Sequence, residues 1–235
     1  MKKTILIAPF EGPLASAVAG AARGAGWSTA LATAPRPSNG AGGKAAEESG
    51  GQPELGAGGL TGQGGGADTA ALPYDPASYV SASALLAATL AALGDIDAAV
   101  IVADRSAASP DFAAARAGEL AAFVGARCAG PLYLARELAR RFEARKSGKL
   151  LLLTSEPPRD AALGPLSALA GGAFEGLGKG LFSAAEGSGW AAFGVVDATG
   201  EADRAARYAL ELLEDPRASK AGRWLRFTGK GGFFG

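Results

Sequence analysis

Short runs that are apolar at every position, rather than at every second one, are the feature that most constrains how this chain can fold. They occur at 4–8, 98–103 and 150–153, and each is bounded by charged residues, proline or polar residues. A run of this kind predicts a strand covered on both faces. Further strands are expected at 28–33, 70–74, 190–196 and 224–228. Between them, apolar residues return at helical spacing over 13–25, 75–93, 111–146, 162–187 and 202–214. Strand and helix alternating in this way imply right-handed crossovers, a parallel sheet, and helices on both of its faces. The expected fold is therefore a Rossmann-type, doubly wound α/β domain of three layers, αβα. One core suffices for 235 residues, so residues 1–235 read as a single domain.

Local signals refine the elements. Gly26 closes the first helix. Asp75-Pro76 is expected to open the 75–93 helix, whose Leu85, Leu86, Leu90 and Leu93 share a face. The 111–146 stretch is expected to break near Gly130-Pro131. From about 36 to 68, glycine, serine, glutamine and charged residues take over and bulky apolar residues nearly vanish. Such a segment cannot bury a core, so it reads as a flexible surface insertion between the second and third strands.

Composition narrows the function classes. Lysine plus arginine equals aspartate plus glutamate at 23 each, so no net field attracts nucleic acid or an anionic membrane. With no histidine and only Cys128, neither a Cys/His metal cluster nor an intrachain disulfide can be drawn. No metal site is expected, and a reducing, cytoplasmic setting is. Lys2-Lys3 precede an apolar run that Pro9, Glu11 and Pro13 cut short, so neither a signal peptide nor a membrane anchor is expected there.

Three strings resemble the short-chain dehydrogenase/reductase family. They are Gly148-Lys149-Leu150-Leu151-Leu152-Leu153-Thr154-Ser155, then Gly176-Leu177-Gly178-Lys179-Gly180-Leu181, then Leu213-Glu214-Asp215-Pro216 through Gly222-Arg223-Trp224 to Gly231-Gly232. The resemblance spans nearly the whole chain outside the insertion and implies seven strands in the order 3-2-1-4-5-6-7. It also implies a nicotinamide dinucleotide over a glycine-rich turn, a Tyr-Lys pair with an orienting Ser, and subunits paired through the helices at 111–146 and 162–187.

The residues depart from that pattern wherever it carries chemistry. The turn after the first strand reads Ala8-Pro9-Phe10-Glu11-Gly12-Pro13-Leu14, where only Gly12 matches and Glu11 adds a negative charge beside the pyrophosphate position. Ser155 stands where the family's serine belongs, but the Tyr and Lys positions fall on Ser167 and Gly171. Four residues after Tyr74, Tyr79, Tyr133 and Tyr208 stand Ser78, Ser83, Glu137 and Leu212, so no Tyr-x-x-x-Lys exists. The family's asparagine falls on Arg127, and its Asn-Asn-Ala-Gly is replaced around Val102-Ala103-Asp104-Arg105.

Candidate cofactor positions are Gly12, Ala103, Arg36 and Asp75. Arg36 stands where a basic residue would favour a 2′-phosphate, and Asp75 where an acidic residue would meet adenine or simply cap a helix. Asp104-Arg105 could form a pair that binds a polar ligand or closes the crevice. A Ser-Lys dyad would need Lys149 or Lys179 at Ser155.

The reading that follows is a catalytically degenerate relative with no cofactor, retained as a homo-oligomeric assembly or regulatory module. An NADP(H)-dependent oxidoreductase and a dinucleotide-sensing binding module are the alternatives. What separates them is whether the crevice above Ala8, Ala103 and Ser155 is open or filled by Phe10 and Arg105.

Overall fold

The structure is a computed structural model that describes residues 2–35, 68–105, 109–157, 163–215 and 222–229. The glycine-rich insertion and Arg36 fall outside the described residues, apart from Asp68 at the insertion's end. Seven strands form one sheet: β1 (Thr4–Ala8), β2 (Ser28–Thr33), β3 (Thr69–Pro73), β4 (Ala98–Ala103), β5 (Lys149–Ser155), β6 (Ala191–Asp197) and β7 (Trp224–Phe227). All neighbours pair in parallel, in the order β3-β2-β1-β4-β5-β6-β7. The helices are α1 (Gly12–Gly24), α2 (Tyr79–Leu93), α3 (Ala117–Val124), α4 (Gly130–Arg145), α5 (Pro165–Ala185) and α6 (Ala202–Glu214).

The uniformly apolar strands divide their side chains between two cores. Ile5, Ile7, Leu151 and Leu153 point toward α1 and α6, while Leu6, Ala8, Leu150 and Leu152 point toward α2, α4 and α5. Strand side chains alternate between faces, so a strand covered on both sides needs an apolar residue at each position. Leu151 sits in register between Val100 and Phe193, which places the four-leucine run at the centre of the sheet.

Two expected boundaries move. The second helix does not start at Asp75-Pro76. It starts at Tyr79, with Ser78 as cap, its Oγ accepting from Ser81 N at 3.2 Å. Asp75 instead closes a local turn, its carboxylate accepting from Ala77 N at 2.9 Å, so it is not a helix cap. The stretch from 111 becomes helical only at Ala117, and it does not break at Gly130-Pro131. A π turn (Gly125–Ala129) joins α3 to α4 instead. A Cβ on Gly130 would lie 2.6 Å from Pro76 O, so the glycine serves close approach to the β3–α2 turn and not a break. Among the described residues no helix is long and apolar enough to cross a membrane.

Candidate functional site

In a doubly wound sheet, the crevice lies beyond the carboxyl ends of the strands where the order reverses, here between β1 and β4. β1 delivers the turn to Gly12, β4 delivers Ala103-Asp104-Arg105, and β5 delivers Thr154 and Ser155. Ala103 and Thr154 are register partners, and Thr154 Oγ1 donates to Ala103 O at 2.7 Å. This ties the ends of the two central strands together.

The polar groups of the crevice are engaged with one another. Ser155 Oγ donates to Asp104 Oδ1 at 3.1 Å and accepts from Arg105 N at 3.2 Å. The other Asp104 oxygen faces the first turn, 3.3 Å from where a Cβ on Gly12 would stand. Gly12 has φ +76, a conformation suited to glycine, but what approaches it is a carboxylate of the same chain.

Arg105 turns the other way and does not pair with Asp104. Its Nη1 donates to Glu175 Oε1 on α5 at 2.7 Å, and its side chain is 18% exposed. The guanidinium carbon would lie 2.7 Å from a Cβ at residue 171, so Gly171 makes room for an arginine arriving from β4. Of the two residues that could fill the crevice, Phe10 lies elsewhere. Phe10 packs with the α1/α6 core, and its backbone N donates to Ala32 O at 2.7 Å. Arg105 is the one of the two that stands in the crevice, beside Asp104.

What remains open beside Arg105 is a cavity of about 40 Å³, lined by Arg127 of the π turn, Phe123, Phe174, Ser167 and Ala170 among others. Ser167 has its Oγ 3.1 Å from Ser109 Oγ. Arg127, Thr154 and Ser167, apart in sequence, are thus brought to one cavity.

The groups that acid-base chemistry would need are elsewhere. Tyr74 donates to Gly130 O at 3.4 Å, and burial, helped by the Asp75 charge, pushes its phenol well above the usual range. Burial also raises Tyr208, on α6. Neither is poised to give up a proton near neutral pH.

Lys149 begins β5, about 20 Å from Ser155 at six residue steps along a strand. Its Nζ donates to Leu213 O at 2.6 Å and Asp215 O at 3.2 Å, which satisfies carbonyls at the end of α6. Burial, and then the neighbouring Lys3, lower its pKa. Lys179 lines the same groove at the amino ends of the strands, so neither lysine reaches Ser155. That groove encloses about 1010 Å³, far more than the crevice, yet its polar groups serve the fold. Lys3 lies over the Trp27 ring, and Trp27 Nε1 donates to Glu214. Among the described residues no group of three or more His, Cys, Asp or Glu could hold a metal ion.

A pyrophosphate at the first turn would meet the Asp104 carboxylate in front of Gly12, and the cavity beside Arg105 is smaller than a nicotinamide ribose. Of the other positions expected to touch a dinucleotide, Arg36 lies outside the described residues and Asp75 is taken up by its own turn. Sequence could not show the Arg105–Glu175 ion pair, whose partners are 70 residues apart. The available signal was a glycine, Gly171, buried inside a helix, where a larger side chain has to be accommodated.

No family model matches the chain, and no curated protein matches it. Solved structures do. A short-chain dehydrogenase/reductase from Serratia marcescens aligns over 96% of this chain and 96% of its own, with TM-score 0.69 and 14% identity. A doubly substituted variant from the same organism aligns over 96% and 95%, with TM-score 0.72 and 16% identity. A short-chain dehydrogenase from Streptomyces avermitilis aligns over 97% and 88%, with TM-score 0.67 and 16% identity. At that identity the likeness establishes the fold, which this chain shares across its length.

Proposed function

We propose that this chain is a divergent short-chain dehydrogenase/reductase whose crevice is closed by its own residues, and that it acts as a non-catalytic, homo-oligomeric assembly or regulatory module in the cytoplasm. The observation that carries the reading is the double closure by Asp104–Ser155 and Arg105–Glu175. Two like charges about 4 Å apart at a protein surface repel by about 4 kcal/mol at an effective dielectric of 20. Asp104 and Glu11 therefore work against a pyrophosphate where glycines would welcome one. A carbonyl substrate would also lack a proton donor, since Ser167 and Gly171 replace the Tyr-Lys pair.

The homo-oligomer is supported by α5 and the helix facing it. Gly171 and Gly178 point inward, but Gly172, Gly176 and Gly180 have nothing within 4 Å of a Cβ position and form an outward stripe. Nearby, α3 carries Leu120, Phe123 and Val124 yet has no buried residue, and Leu132 and Leu169 are half exposed. The lone Cys128 and balanced charge suit the cytoplasm.

The reading is tested by assaying NADPH and NADH oxidation with aldehydes, ketones and quinones. The expected result is no rate above buffer, with Ser155→Ala identical to the wild type. A turnover that Ser155→Ala abolishes would overturn the reading.

A further inference from the structure

We propose that the small cavity beside Arg105 is a binding site for a short-chain carboxylate of about the size of acetate, held between Arg105 and Arg127. The proposal rests on the reading of the crevice as closed to dinucleotides, and it names the ligand class that the closed crevice still admits.

Size comes first. A buried water needs roughly 10–15 Å³ of such space, so about 40 Å³ has room for only a few heavy atoms. Formate and acetate are of that size. Nucleotides and sugars are not.

Charge selects the ligand next. Arg105 and Arg127 line the same cavity. Arg105 gives one nitrogen to Glu175, but its Nε is buried and has no partner. That Nε is sealed against Gly171, so what draws an oxyanion into the cavity is the charge of the guanidinium and not this donor. Arg127 makes no ion pair or hydrogen bond among the described residues, although it is half buried. The carboxylate that also lines the cavity, Asp104, already accepts from Ser155, and it disfavours a dianion such as phosphate more than a monoanion. Two cations, Arg105 and Arg127, line the cavity against a single carboxylate, Asp104, and Glu175, which pairs with Arg105, is not among the lining residues.

The walls then choose among small monoanions. Phe123, Phe174 and Ala170 supply an apolar side, which accommodates an alkyl stub and gives nothing to a halide. Thr154 Oγ1 is spent on Ala103 O. The guanidiniums therefore carry the recognition. Arg127 sits in the π turn, and π turns inside α-helices are frequent at functional sites because they re-aim a side chain. No bond is made or broken in this proposal.

Isothermal calorimetry of the full chain with sodium acetate tests it, with acetamide as the neutral isostere and sodium chloride at equal ionic strength as controls. The expected result is saturable one-to-one binding of acetate, and none of acetamide or chloride. Arg127→Gln is expected to weaken acetate binding at least tenfold. Ala170→Leu, which fills the cavity without touching a charge, is expected to abolish it. Circular dichroism and melting of both variants confirm that they fold.

The proposal is overturned if acetate does not bind at up to about 100 mM, if acetamide binds equally, or if neither variant changes the affinity. A parallel titration with NADPH separates the two readings. NADPH binding would sink the closed crevice itself, whereas silence to both ligands would remove only the carboxylate site.

Discussion

Gly148→Ala is expected to be the most damaging single methyl in the protein, lowering stability by about 3–5 kcal/mol. Gly148 links α4 to β5 with φ +131, a region that L-residues enter only at a cost of about 1–3 kcal/mol. The added Cβ would also lie 2.5 Å from Cγ of Phe142, which is 0% exposed and packs beside Trp190. Overpacking of a tight core adds about 1–3 kcal/mol. For a chain of this length the sum lowers the melting temperature by roughly 10 °C. Urea unfolding measures it. A loss under about 1 kcal/mol would show that the α4–β5 junction is not packed as described, and the double variant with Phe142→Leu should recover part of the loss.

The second large effect concerns assembly. Gly176→Arg places a long cation in the middle of the outward stripe formed by Gly172, Gly176 and Gly180, where a Cβ meets nothing within the chain. The monomer should accommodate it with little change in melting temperature, because Gly176 is exposed. A helix interface that relies on close approach should not, since the side chain and its charge would be driven between the two backbones. Self-association is expected to weaken at least 100-fold, read by light scattering or sedimentation from one to about a hundred micromolar. A wild type that is monomeric at tens of micromolar would refute the homo-oligomer. A variant that assembles as the wild type does would move the contact away from α5.

Much of the fold was legible because the signals were local. The runs at 28–33 and 98–103 match β2 and β4 residue for residue, and 202–214 matches α6, because burial on both faces and amphipathic spacing leave few other readings. The strand order came from the resemblance and not from periodicity. The start of α2 was misplaced because Asp75-Pro76 is a competent start signal, whereas the Asp75 carboxylate is taken by Ala77 N in a local turn and Ser78 caps the helix. The π turn has no local signature, and Gly130-Pro131 reads as a break when the turn before it absorbs the misfit.

The site was legible chiefly by what it lacks. Asp104, which follows Ala103, links Ser155 to the turn at Gly12. Where Arg105 lies in the crevice depends on which carboxylate it pairs with, and that choice is tertiary. Asp104 is next to it in sequence, but its carboxylate receives Ser155 Oγ, and Arg105 pairs with Glu175 from α5. A sequence shows which charges are adjacent along the chain, whereas the crevice selects by distance and burial.

Titrating the purified protein with NADPH and with NADH, followed by calorimetry and by the fluorescence of the nicotinamide, tests the closed crevice most directly. A dissociation constant of one micromolar corresponds to about 8 kcal/mol. The Asp104 carboxylate before Gly12 and the Arg105 guanidinium against Gly171 should remove most of that, so the predicted result is no saturable binding of either nucleotide at up to a millimolar. Saturable micromolar binding of NADPH or NADH would contradict it.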